Sequence, residues 1–305
     1  GSEMCIRDRS KIILKYIFAS ILLVFALNLA PQRAEAIKIG IVDSATEVVI
    51  GTSKPASLFK PGMEKSIYQL EAMKPYRVKA MGDSIGLQIQ GKYFNLGMSK
   101  IIITPTSKGF ISTKKRWYRG EFIIINKNGS LIVVNNIPLE EYILGVVPSE
   151  MPSKWNIEAL KAQAIAARSY AIANRGKRAS RGYDLKDTPE DQAYGGASSE
   201  TASTNKAVAE TKGIVVTYNK KIIPAYYSAS AGGHTINSGE VWNKDLPFLR
   251  SVPSFDDGIS KNGHGIGMSQ HGANNLASQG YNAYQILSYY YNNVKFGRLD
   301  PSWAL

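Results

Sequence analysis

From Asn156 to Asn174 the chain reads NIEALKAQAIAARSYAIAN, and this run constrains the fold more than any other. Leu160, Ala164, Ala167 and Ala171 fall on one stripe at helical spacing, so the segment is a predicted helix. Alanine carries almost no side chain, so the stripe predicts close packing against a neighbour. Asn156 is the predicted N-cap, and Glu158 stands favourably in the first turn. Directly before it comes VPSEMPSKW, residues 147–155, where Glu150 lies between Pro148 and Pro152. That stretch reads as a proline-braced turn holding a single carboxylate.

The residues before this helix follow a different period. IKIGIVD, EVVIGTS, SIYQLEA, YRVKAM, IGLQIQ, KYFNLG and KIIITP are short runs with strand character, separated by Gly, Pro, Ser and Lys. GEFIIINKNGSLIVVNN predicts a hairpin turning at Asn128-Gly129. After the helix, RGKRASRGYDLKDTPEDQAYGG reads as a loop and residues 200–212 as a second helix. GIVVTYNKKIIPAYYSAS reads as a hairpin turning near Asn219, followed by a glycine-rich loop and two short helices. The predicted class is α+β, a β-rich N-terminal portion followed by a mixed α/β core. Three segments are expected: 1–36, 37–117 and 118–305.

Of the 305 residues, 44% are apolar and 20% charged, which excludes bulk disorder. The net charge of +13 points to an anionic partner. The basic residues are scattered and form no stripe with aromatics, so nucleic acid is not expected. Arg7, Arg9, Lys11 and Lys15 precede IFASILLVFALNLA and then PQRAEA, with Ala34 and Ala36 in an A-x-A arrangement. This is the pattern of a secretory signal peptide cut near Ile37. The alternative is an uncleaved anchor over residues 12–30, the chain's only expected contact with a membrane. The expected location is the periplasm or cell wall. GSEMCIRDRS, at the very start, reads as an N-terminal artefact unrelated to the rest. It holds the only cysteine, Cys5, so the core has neither disulfide nor thiolate metal site.

Candidate chemistry begins with Glu150. Beside Val147 and Met151 a carboxyl can be desolvated, which raises its pKa toward that of a general acid. The alternative is a helix-capping or solvated glutamate. Arg168 stands among alanine, isoleucine and serine, either reaching outward or buried against a partner. Gln163 and Tyr170 are weaker candidates of the same kind. The three histidines, His234, His264 and His271, all lie beside glycine in loop-like sequence. They could form a zinc site, but no H-E-x-x-H spacing supports one, and no cofactor is called for. A serine hydrolase with Ser228, Ser230 or Ser269 as nucleophile lacks the G-x-S-x-G elbow. Tyr289 to Tyr291 read as packing.

Several of these stretches together resemble one family. PLEEYILGVVPSEMPSKWNIEALKAQAIAARSYAIANR, DQAYGG, YYSASAGGHT, PFLRSVPS and GHGIGMSQHGANNLASQGYNAYQILSYYY are similar to the SpoIID family, also called the amidase-enhancer or LytB-type domain. The likeness runs from about Tyr118 to Phe296, with a looser one from Ile37. It implies an exported bacterial protein acting on peptidoglycan glycan strands. One implied activity is lytic transglycosylase, cutting between N-acetylmuramic acid and N-acetylglucosamine. The other implied role is a non-catalytic enhancer partnered with a cell-wall amidase. The SEMP glutamate, here Glu150, is the implied catalytic acid, with Arg168 as the arginine that follows it. Substrate contacts are implied for Gln163, Tyr170, Tyr194, Ser228, Ser230 and His234. His264, Met268, Ser269 and Gln270 complete that set. Some members carry a cysteine-containing zinc site, which a core without cysteine cannot reproduce.

Overall fold

The computed structural model describes residues 36–299. The apolar segment expected to direct export lies outside the described residues. Twelve strands come first. They are β1 (Ala36–Ala45), β2 (Glu47–Thr52), β3 (Ala56–Phe59), β4 (Tyr68–Leu70), β5 (Tyr76–Met81) and β6 (Ser84–Ile89). Then follow β7 (Lys92–Asn95), β8 (Lys100–Pro105), β9 (Ile111–Thr113), β10 (Arg116–Tyr118), β11 (Glu121–Lys127) and β12 (Ser130–Pro138). Helices α1 (Leu139–Glu150) and α2 (Ile157–Ala173) come next, then strand β13 (Leu185–Lys186) and helix α3 (Ala202–Glu210). The remainder is β14 (Ile214–Tyr218), β15 (Lys221–Ile222), β16 (Tyr227–Ser228), α4 (Ser238–Val241), β17 (Met268–Ser269), α5 (Gln270–Ser278), α6 (Ala283–Tyr290) and β18 (Lys295–Arg298). The class is α+β, as the sequence predicts.

A seven-stranded sheet runs β13-β1-β12-β11-β8-β3-β4, and a six-stranded one runs β10-β9-β2-β5-β6-β7. The first sheet therefore joins strands from both sides of residue 118. The β11–β12 hairpin turns at Asn128 and Gly129, both at positive φ, 54° and 77°. Asparagine and glycine tolerate this left-handed backbone, which matches the twist of the flanking strands.

Helix α2 is the centre of the second half. Asn156 caps it by accepting from the Glu158 amide at 2.9 Å, as predicted. The predicted stripe is too narrow, because Ala159, Ala162 and Ala166 are also fully buried. The helix packs on α1, α3, α5, α6 and β14. Small side chains all round let these neighbours approach together.

The proline-braced turn is corrected by the structure. Helix α1 runs through Pro148 and ends on Glu150, and Met151 is extended. Proline lacks an amide proton, but in the last turn it forfeits only one intrahelical bond. Met151 still donates to the Val147 carbonyl at 2.9 Å, and Pro152 then bars continuation.

Candidate active site

Glu150 is thus presented by a helix C-terminus. Its carboxylate is partly buried at the edge of a cleft of about 640 Å³. The Ala193 amide donates to Oε1 at 2.6 Å, and Gln270 Nε2 approaches Oε2 at 3.4 Å. Burial raises the Glu150 pKa above its ordinary value. Bonds from Ala193, Gln270 and Tyr227 oppose the rise without cancelling it. A carboxylate here also meets the negative pole of the helix, which disfavours its charge further.

Three segments converge on this carboxyl, each for a local reason. The loop after β13 brings Ala193 because Ser149 Oγ accepts from the Gly195 amide at 2.9 Å. It packs on Gly145 of α1, where a Cβ would lie 2.5 Å from the Tyr194 ring, so only glycine admits the loop. Strands β16 and β17 pair in parallel, Tyr227 with Met268 and Ser228 with Ser269, and this register sets Tyr227 and Gln270 beside Glu150. Behind Tyr227, Gln192 Nε2 donates to its hydroxyl at 2.7 Å, and Tyr142 donates to Gln192 Oε1 at 3.3 Å. The Tyr227 hydroxyl, already an acceptor, keeps its own proton for the carboxylate.

The other acids of the cleft are differently placed. Asp191 accepts from Lys177 and Arg178, each at 2.6 Å. Burial pushes its pKa up, but these cations outweigh burial and hold it below the ordinary value. Asp191 is therefore a fixed anion, whereas Glu150 has no cationic partner among the described residues and can carry a proton.

One wall of the cleft is aromatic. Tyr226 and Trp242 have ring centroids 4.5 Å apart, Trp242 and His264 5.4 Å, and Tyr170 and Tyr226 5.5 Å. Such faces suit the apolar CH faces of sugar rings. His264 belongs to this wall as a neutral ring. Burial, then Lys261, pushes its pKa down to about 4, and its Nδ1 accepts from the Ile266 amide at 3.0 Å. A larger cavity of about 710 Å³ lies against β2 and the β9–β10 hairpin, but it contains neither Glu150 nor a histidine.

The predicted site residues separate into two groups. Glu150, Tyr170, Ser228, His264 and Gln270 line the cleft. Gln163 stands just behind it, with its Oε1 3.4 Å from Gln270 Nε2. The rest lie elsewhere. Arg168 is fully buried and touches Glu140, not Glu150: Nε to Oε1 at 2.7 Å and Nη2 to Oε2 at 2.8 Å, with a further bond to the Ile214 carbonyl at 3.0 Å. Its role is to tie α1, α2 and β14 together. Tyr194 is buried against Tyr142 and Tyr118 and bonds Asn135 at 2.9 Å. Ser230 spends its hydroxyl on the Ser260 carbonyl at 2.7 Å, and Met268 is core. Ser269 caps α5 and donates to Asp256 at 2.6 Å. His234 is exposed and bridged to Pro253, and His271 meets Trp155 edge-on with ring centroids 4.8 Å apart. Among the described residues no three acids, histidines or cysteines group to hold a metal.

Residue-type reasoning missed Tyr227, Gln192, Trp242 and the Ala193 amide. It also missed Asp256, a buried carboxylate that accepts from the Ala231 amide at 2.6 Å, the Gly233 amide at 2.7 Å, Ser269 at 2.6 Å and Ser254. Asp256 fastens the SAGG loop to the start of α5, which carries Gln270.

Comparison with known proteins gives the same family as the motifs. Residues 127–218 match the SpoIID family, described as Stage II sporulation protein. An uncharacterized protein of Brachyspira hyodysenteriae is 32% identical over 218 residues, covering 71% of this chain and 57% of that one. The amidase enhancer of Bacillus subtilis is 49% identical over 105 residues, 34% of this chain and 14% of that one. Stage II sporulation protein D of the same species is 40% identical over 136 residues, 40% of each chain. The match over residues 127–218 and these named relatives support the SpoIID family for this chain. It spans at most 57% of the length of these relatives. Among the described residues no helix is long and apolar enough to cross a membrane.

Proposed function

We propose that this chain is an exported, peptidoglycan-acting lytic transglycosylase with Glu150 as its only general acid and base. The carrying observation is the setting of Glu150: partly buried, without a cation, its pKa raised, at the edge of an aromatic-walled cleft. Ordinary glycosidases need two carboxyls. Of the three acids lining this cleft, Asp191 is neutralised by Lys177 and Arg178 and Glu190 pairs with Lys186 and Arg178, which leaves Glu150 as the one without a cation among the described residues.

A single carboxyl suffices when the nucleophile belongs to the substrate. Protonated Glu150 donates to the glycosidic oxygen, and the bond from that oxygen to the anomeric carbon breaks. The resulting carboxylate accepts the proton of the muramyl primary hydroxyl as its oxygen closes onto the anomeric carbon. One proton leaves Glu150 and one returns, no water enters, and the product is a 1,6-anhydro end. Intramolecular attack supplies proximity. Ala193, Gln270 and Tyr227 stabilise the carboxylate between the two transfers. Tyr226 and Trp242 would bind the sugar faces.

Likeness to an amidase enhancer supports a second reading, a glycan-holding module that stimulates a cell-wall amidase. The deciding experiment incubates the protein and its Glu150→Gln variant with amidase-treated peptidoglycan and seeks anhydro-muramic ends by mass spectrometry. Products from the wild type alone support the enzyme. Products from neither, with glycan still retained by both, would leave the module.

A further inference from the structure

The cavity of about 710 Å³ against β2 and the β9–β10 hairpin takes no part in the chemistry at Glu150. Its shape follows from where β9 parts from β2. Gly51 and Thr52 pair with Ser112 and Ile111, and β9 then turns away at Lys114 and Lys115, whose φ values are 49° and 62°. Beyond that point no strand among the described residues covers the same edge of β2.

The ladder fixes what this open edge offers. Ala80 donates to the Thr46 carbonyl at 2.9 Å, so Val48 and Ile50 spend their backbone groups on β5. Ser53 donates to the Phe110 carbonyl at 2.9 Å, so Gly51 faces β9, and Val49 and Glu47 before it face the same way. Those two residues therefore point their amides and carbonyls into the space that β9 has left. Around it stand Val49, which is 43% exposed, with Met73, Pro75 and Trp117. Met73 is 71% exposed on a left-handed backbone, φ 58°, and its amide donates to the Thr52 carbonyl at 2.7 Å. A methionine held open at this cost suits a surface that receives another chain. Thr52, fully buried, adds to the cavity wall a hydroxyl that has no partner among the described residues.

The charges around the cavity define the chemistry of that other chain. The one acid in its lining, Glu47, is engaged by Arg77 at 2.6 Å and by Tyr93. Lys74 is balanced by Glu71 at 2.7 Å. Lys114 donates to the Ile41 carbonyl at 2.5 Å and keeps two donors, and Lys115 makes no ion pair among the described residues. The surplus is positive. A second copy of β2 would set these lysines against their own kind, which opposes self-pairing. We infer that the free edge of β2 is a strand-addition site for an extended, acidic segment of another polypeptide. The backbone of that segment pairs with Glu47 and Val49 while its apolar side chains enter the cavity. This inference is independent of the reaction at Glu150.

The test titrates the full chain with three end-blocked peptides. The first is Asp-Thr-Val-Thr-Val-Thr-Asp, the second carries lysine in place of both aspartates, and the third is the first with every amide N-methylated. The first should bind about tenfold more tightly than the second, with the gap narrowing at high salt, and the third should not bind. Amide exchange reads the geometry. Without peptide, Glu47 and Val49 should exchange fast and Val48 and Ile50 slowly, and the first peptide should slow Glu47 and Val49. Val49→Pro deletes one outward amide and no bond to β5, and should weaken the first peptide about tenfold. Thermal melting verifies the fold. Should that variant fail to fold, Lys115→Asp, on an exposed turn whose left-handed backbone aspartate tolerates, must shrink the preference for the first peptide over the second. No binding of the first peptide, binding without slowed exchange at Glu47 and Val49, or equal affinity for the acidic and basic peptides would overturn the inference. Displacement of the peptide by peptide-stripped glycan strands would overturn it too, because the site would then read sugar. So would slow exchange at both amides in a peptide-free dimer, which would make the occupant a second copy.

Discussion

Gln270 reaches the Glu150 carboxylate from 120 residues further along the chain, with its Nε2 3.4 Å from Oε2. Its amide sits between two acceptors, Glu150 and Gln163, so its orientation is set from both sides. A donor at this position favours the charged form of Glu150 and holds its pKa lower than burial alone would. Gln270→Leu should therefore raise that pKa further. In the proposed reaction Glu150 must begin protonated, so activity falls as pH rises through its pKa. The falling limb of the pH–rate profile should move to higher pH in Gln270→Leu, and likewise in Tyr227→Phe. A limb that stays in place or moves to lower pH would detach these residues from Glu150.

Glu150→Gln should lower turnover by about 10²–10⁴, the usual contribution of a general acid. The same change should stabilise the fold at neutral pH. A carboxyl whose pKa is raised by burial holds its proton longer in the folded state than in the unfolded one. Stability thus falls as pH rises from the unfolded value, about 4.3, through the folded one. Glutamine does not ionise and avoids that loss. Melting temperatures should favour the variant at pH 7 and converge with wild type below about pH 4. A variant less stable at neutral pH would mean that the charged carboxylate is structurally required.

The elements that were legible in the sequence share a local cause. Asn156 with the alanine run fixes α2, and Asn128-Gly129 fixes its hairpin, because caps and turns are decided by adjacent residues. Glu150 was legible as chemistry but not as geometry. Pro148 reads as a breaker, while in a last helical turn proline is tolerated. Arg168 was misplaced because its partner, Glu140, lies 28 residues earlier on another helix, beyond the reach of any periodicity. Ser230, Ser269 and His234 share glycine-rich sequence with the site. The Ser230 hydroxyl serves the Ser260 carbonyl, Ser269 caps α5 and His234 is exposed, a division set by contacts distant in sequence. Tyr227 was passed over because its place beside Glu150 is set by pairing with Met268, far along the chain.

Arg168 and Glu140 give a prediction about stability, not chemistry. The pair is bidentate and almost wholly removed from water, with side-chain exposures of 0% and 13%. Arg168→Ala would strand the Glu140 carboxylate and should cost about 3–5 kcal/mol. Lysine cannot replace the fork, so Arg168→Lys should recover only part of this. Denaturant unfolding measures the loss. The folded fraction of Arg168→Lys should keep its pH–rate limb, since the guanidinium does not touch Glu150. A displaced limb with intact stability would return Arg168 to the reaction.

Asp256 should control the loop that completes the site without entering it. Burial pushes its pKa up, but four donors outweigh burial and hold it below the ordinary carboxyl value. The stability this lends is fully present above the unfolded value, about 3.9, and is lost as pH falls through the lower folded value. Acid unfolding of the wild type should therefore be completed only at pH below that ordinary value. Asp256→Ala removes the acceptor from two amides and two hydroxyls at once, a loss of at least about 3 kcal/mol. With the SAGG loop released from the start of α5, Gln270 loses its register. The variant should show faster amide exchange at Ala231 and Gly233 and lower activity even where it remains folded. Unchanged exchange at those two amides would mean that backbone pairing alone holds the loop, and Asp256 would lose its place as the fastening.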